Sequence, residues 1–185
     1  YRLLASTDAY QRQLRGSPKD PGDELPRITT TRLRGDEVYQ SLVSALELPN
    51  ITPPPMKPTT AVRFPPPPKS TRDLVTDAFG FDPSLAMDNI TKTMNQAMFM
   101  MNNAQINRQV DAKPESQTRL AVILASEKDD RAAVKKVFEH VLARQPTLSE
   151  VEIAMQHFSE VKDRAAGFED LLWSLLNSAE FTTRR

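Results

Sequence analysis

From Phe79 to the C-terminus, apolar side chains recur three or four residues apart in one short stretch after another. Capping residues or prolines bound most of these stretches. An α-helix turns once every 3.6 residues, so this spacing stacks the apolar groups on one face. A strand would need strict alternation, and no segment shows it convincingly between hairpin turns. The pattern therefore predicts an all-α chain, an irregular orthogonal or antiparallel bundle of about seven or eight short helices.

The individual helices follow from their stripes. Residues 1–14 carry Tyr1, Leu4, Ala5 and Tyr10 at helical spacing, and the Gly- and Pro-punctuated residues 15–30 read as a loop. A helix is predicted from Gly35 to Leu46 with Val38, Leu42, Ala45 and Leu46 inward. Asp36 and Glu37 sit in its first turn, where the helix dipole favours acids. Ser70 and Asp73 have capping-box spacing and open a helix that buries Leu74, Val75 and Ala78. Gly80 is read as the left-handed residue that ends it.

The next helix spans roughly 86–101, with Ile90, Met94, Ala97, Met98 and Met101 on its buried face. Pro114 starts a helix running to Ala125, and Ser126 to Asp129 again has capping-box spacing. Ala133, Val134, Val137, Phe138, Val141 and Leu142 form the following stripe, which Gln145-Pro146 stops. Thr147 and Glu150 make the cleanest capping box, leading into Val151, Ala154, Met155, Phe158 and Val161. The last helix, about 164–178, buries Phe168, Leu171, Leu172, Leu175 and Leu176. Residues 129–181 group as a C-terminal three-helix unit within one helical domain that spans residues 1–185.

Proline interrupts this regularity. Nine of the 15 prolines fall between Pro49 and Pro68. Each fixes φ and removes a backbone donor, so residues 49–69 must run extended. Met56, Val62 and Phe64 punctuate the tract, which favours a strap or long loop lying over the helices above a bare proline-rich ligand.

Charge and composition exclude several functions. The chain has 24 basic and 24 acidic side chains and no net charge. Duplex binding normally requires a basic surplus to displace counterions, so nucleic acid is not an expected partner. Lys57, Arg63, Lys69 and Arg72 form a local basic run, read as a solvated linker. The absence of cysteine excludes disulfides, thiolate metal sites and covalent haem attachment through paired cysteines. No apolar run approaches the ~20 residues that span a bilayer. The chain opens at Tyr1 on what looks like helix interior, which reads as a fragment of a longer protein.

No motif identifies a reaction, and no catalytic residue, metal ligand or cofactor is assigned. The two histidines lack metal-ligand spacing. His140 points away from its helix's apolar stripe and is read as solvent-facing. His157 lies at the edge of one and is read as packing or surface. The acidic pairs Asp129-Asp130, Glu150 with Glu152, and Glu169-Asp170 sit where dipole and solubility explain them. The binding-surface candidates are Met94, Met98, Met101, His157 and Trp173. The methionines share one helical face. Their soft thioethers suit core packing first, then an adaptable docking groove, or ligation of haem iron or copper. Trp173 flanks the last leucine stripe, where an inter-helix contact outweighs a ring for stacking sugars.

Four blocks together resemble a known family. They are Phe79-Gly80-Phe81-Asp82-Pro83-Ser84, Met94 to Asn103, Ala143-Arg144-Gln145-Pro146-Thr147-Leu148-Ser149-Glu150, and Asp170 to Phe181. Tyr1 to Arg12 and Arg32 to Leu48 look like that family's earlier helices. The order resembles the C-terminal domain of unknown function of large planctomycete-type exported proteins, the family numbered fifteen fifty-three among such domains. That domain follows a second uncharacterised domain and often a cytochrome-c-like haem domain. Arg34-Gly35 departs from the Ser or Thr that members often place as a helix cap. The resemblance implies an extracytoplasmic bacterial protein whose partners are the upstream domains of the same polypeptide. Other exported proteins or polysaccharide are further implied partners. It carries over no catalytic residue. The expectation is a non-catalytic structural or interaction module. The alternative is a share in a redox, haem-linked or polysaccharide-processing site completed by the upstream domains.

Overall fold

The computed structural model describes residues 3, 6–7, 31–48, 69–80 and 94–184. Apart from Leu3, Ser6 and Thr7, the expected first helix lies outside the described residues, as do the loop after it, the proline tract, the block Phe81 to Ser84, Met87 and Ile90.

The fold is an all-α helical bundle, with eight α-helices among the described residues. In chain order these are α1 (Gly35–Leu46), α2 (Thr71–Ala78), α3 (Met94–Asn102), α4 (Ala104–Val110), α5 (Arg119–Ser126), α6 (Asp130–Leu142), α7 (Leu148–Val161) and α8 (Arg164–Leu176). Single 3-10 turns cover Pro114–Ser116 and Glu180–Thr182. Two short strands, β1 (Thr31–Arg32) and β2 (Thr183–Arg184), pair antiparallel, Thr31 opposite Arg184 and Arg32 opposite Thr183. The amide of Leu33 extends this ribbon by donating to the carbonyl of Thr182. The start of α1 is thereby stitched to the chain end.

Local chemistry explains the helix starts. Ser70 accepts from the amide of Asp73, whose carboxylate takes the amide of Ser70 in return. Thr147 and Glu150 repeat the reciprocal pair. Asn103, Thr118, Asp129 and Asp163 each accept first-turn amides of the helix that follows. Such a cap stabilises a helix by about 1 kcal/mol. At Arg34 the side chain has nothing to accept with. There the carboxylate of Glu37 supplies the cap alone, taking the amide of Arg34 at 2.8 Å.

One apolar core joins these helices. Val38, Leu42 and Leu46 of α1 share this core with Val75 and Phe79 and with Val134, Val137, Phe168, Leu172 and Leu176. Each fully buried side chain of this kind contributes roughly 1.5–3 kcal/mol. Helices α6, α7 and α8 pack pairwise. Helices α1 and α2 make the most extensive single contact. A Cβ on Gly35 would lie 2.9 Å from the Cα of Thr76, so glycine there lets two backbones touch.

Several boundaries and faces differ from expectation. Ser126 closes α5, its hydroxyl donating to the carbonyl of Ile123, and Asp129 is the cap of α6. The helix expected from Pro114 breaks at Gln117, whose φ of 53° ends the 3-10 turn before Thr118 caps α5. Gly80 is not left-handed. Its hydrogen side chain lets it pass the carbonyl of Thr76, which a Cβ would approach to 2.9 Å. Leu74, expected to be buried, faces outward.

Candidate functional site

The largest departure from the sequence reading lies on α3, and it creates the candidate site. Met94, Met98 and Met101 are 75%, 52% and 67% exposed, whereas Met100 is 1% and Gln96 3% exposed. At about 100° per residue, Met94, Met98 and Met101 fall on one edge of the helix. Gln96 and Met100 fall on roughly the opposite edge. The expected buried face is therefore the open one. Phe99 decides the orientation with Met100. Its ring meets Phe79 edge to face at 6.3 Å and 85°, turning the Met100 side toward α2. Six of the eight residues from Met94 to Met101 are apolar, so period alone could not choose between the two faces.

An open row of three thioethers is chemically distinctive. Methionine is unbranched, with three rotatable bonds and a polarizable sulfur, so it fits irregular apolar surfaces. A contiguous exposed apolar patch is a common mark of an interaction surface.

The other candidates sit elsewhere. His157 is half-exposed on α7, and its Nε2 lies 2.9 Å from Asp170 Oδ2 on α8. Its ring also leans on Phe158 at 6.5 Å. The pair bridges two helices at the surface. Trp173 is half-buried and packs against the core, consistent with an inter-helix contact. Among the described residues, the small pocket lined by Ala45, Arg119, His140 and Leu172 includes none of His157, Trp173 and the three methionines.

His140 corrects the sequence reading. It is half-buried and lines a small cavity between α1, α5 and α6, with Nε2 wholly covered. Burial chiefly, and the nearby Arg119, hold its pKa below the ordinary 6.5.

Two polar clusters escaped notice because their partners are distant in sequence. Arg144, in the turn after α6, spends all five N–H donors. Nη1 and Nη2 clasp Glu150 at 2.9 and 2.7 Å, Nε and Nη2 clasp Glu180 at 2.8 and 2.7 Å, and Nη1 reaches the carbonyl of Gln145. Its guanidinium also lies 5.4 Å from the Phe138 ring centre. The hydrogen bonds from Arg144 hold the Glu150 carboxyl down at about 2. The carboxylates in turn push the Arg144 guanidinium above its usual value. Arg164, at the first position of α8, donates to Asp130 at 2.7 Å and to the carbonyls of Leu124 and Glu127. It therefore closes the C-terminal end of α5, where a cation is favoured. Glu169, expected to be merely solvated, accepts the amide of Ala112 at 2.8 Å.

These clusters are internally satisfied ties between elements. Among the described residues no group of three or more His, Cys, Asp or Glu is placed to hold a metal ion. Also among them, no helix is long and apolar enough to cross a membrane. Comparison with protein-family models, with curated proteins and with solved structures finds no match.

Proposed function

We propose that this chain is a non-catalytic interaction module of an exported bacterial multidomain protein. In this reading it docks the upstream part of its own polypeptide over Met94, Met98 and Met101. One observation carries the reading: α3 turns Met100 and Phe99 to the core and leaves the three other thioethers open on the far side. A helix that needed those methionines only for packing would bury them. The resemblance to the planctomycete-type C-terminal domain supports the choice of partner and the extracytoplasmic setting.

The test is to mix the chain with that upstream part, produced separately, and measure affinity. Met94→Glu with Met98→Glu is expected to weaken binding at least ~10-fold, since each charge must be desolvated at the contact. Thermal stability should not change, because both side chains are exposed. Unchanged affinity would reject the surface.

The same openness favours one second reading. An exposed methionine sulfur is available as an axial ligand for a haem held by the partner. Haem-loaded partner whose absorption bands shift on adding this chain, and fail to shift with Met98→Leu, would select that reading over simple docking.

A further inference from the structure

The open edge of α3 is also where this chain presents soft donor atoms. The sequence has no cysteine and only two histidines. His140 has a covered Nε2, and His157 Nε2 lies 2.9 Å from Asp170. Met100 is buried and Met155 is half-buried against the core. Among the described residues, Met94, Met98 and Met101 are the exposed sulfur donors.

Their spacing suits a shared ion. The three stand at i, i+4 and i+7 of α3. Residues three or four apart on a helix hold their Cβ atoms about 5–6 Å from each other. Met98 is therefore the neighbour of both Met94 and Met101. Each thioether swings on three rotatable bonds, so sulfurs from both sides can converge with that of Met98. The backbone beneath them is held. Phe99 packs edge to face on Phe79, and its carbonyl accepts the amide of Asn103 at 3.1 Å. Asn107 Nδ2 donates to the carbonyl of Met101 at 3.2 Å. Ligands on a fixed element keep one arrangement, which favours binding.

The donors select the ion. A thioether is neutral and soft, and such ligands favour copper(I). Magnesium and calcium require oxygen ligands. Zinc is held by thiolate, imidazole and carboxylate. Met94–Asn102 contains no acidic or basic side chain. The helix thus offers a divalent ion no compensating charge, and it sets no cation of its own against a monovalent one.

We propose that Met94, Met98 and Met101 form a three-sulfur site for a soft monovalent cation, copper(I), with silver(I) as its redox-inert analogue. The site shares the orientation of α3 with the docking reading and requires no partner, so either can fail without the other.

The test titrates silver(I) in chloride-free buffer into the whole chain, alone and labelled on its methionine methyls, with calorimetry on the same sample. One ion should bind per chain. The methyl signals of Met94, Met98 and Met101 should move together and stop at one equivalent, while Met100 and Met155 stay still. Donors linked on one scaffold exceed the affinity of single groups by ~10²–10⁴. Losing the central donor in Met98→Leu should therefore weaken binding at least ~10-fold. The thermal midpoint of that variant should not change, because Met98 is exposed. Copper(I), delivered anaerobically with ascorbate, should repeat the result, and zinc should leave the three methyls in place. Signals that move independently, saturation only at several ions per chain, or undiminished affinity in Met98→Leu would each overturn the site. A response centred on Met155, or an equal response to zinc, would overturn it as well.

Discussion

Glycine is scarce in this chain, and its absence is felt at helix ends. Glu47, Gln117, Ala143 and Lys162 all adopt φ between 50° and 59°. Left-handed geometry costs an ordinary residue roughly 1–2 kcal/mol, a cost glycine avoids. Ala143 ends α6 in this way with no side-chain hydrogen bond in return. Ala143→Gly is therefore expected to raise stability by about 0.5–1 kcal/mol, read from urea unfolding, after the extra freedom of the unfolded glycine is subtracted. The glycines that are present answer to contact. Gly167 holds its place because a Cβ would stand 2.7 Å from Phe158 Cδ1, and Gly35 because backbone lies in the way. A phenyl ring can shift and a backbone cannot. Gly35→Ala should thus destabilise by about 1–3 kcal/mol and Gly167→Ala by less, measured in the same assay. Solvent contact separates the methionines just as sharply. Under mild peroxide, peptide mapping should show sulfoxide at Met94, Met98 and Met101 well before Met100, which is 1% exposed. Equal rates at all four would contradict the orientation of α3.

At the scale of elements, the helices are tied by a few charged residues that reach across turns. Glu150 both caps α7 through Thr147 and binds Arg144, so its carboxyl is held near 2 against an ordinary 4.5. A depressed carboxyl stabilises the fold above its unfolded value, and that contribution is lost as pH falls from about 4.5 to about 2. Glu150→Gln should cost about 1–2 kcal/mol at pH 7, for a lost charged hydrogen-bond pair half open to solvent, and should remove part of the acid transition. Helix positions were legible in the sequence wherever one stripe was apolar and its opposite polar, as in α1, α6 and α7. Capping boxes at Ser70 and Thr147 were legible because both members lie within one turn. Arg144–Glu180, Arg164–Asp130 and Glu169–Ala112 were not, since 36, 34 and 57 residues separate the partners. The spacing singles out the methionine row but places it on the buried side, whereas all three side chains are open. Its sequence is apolar almost all round, and only the contact of Phe99 with Phe79 fixes the rotation.

At the scale of the whole molecule, the described helices share one apolar core, and α3 leaves a row of three methionines outside it. The segment just before α1 meets the residues after α8 in the β1–β2 ribbon, and Arg144 fastens the last turn to α7. A scaffold held in this way can present α3 in fixed orientation, as a docking surface requires. Methyl NMR reads that surface directly. The chain labelled on its methionine methyls and titrated with the upstream partner proposed for it should show shifts at Met94, Met98 and Met101, with Met100 and Met155 nearly still. Shifts centred on other methionines, or none at saturating partner, would contradict the assignment of this row as the binding face.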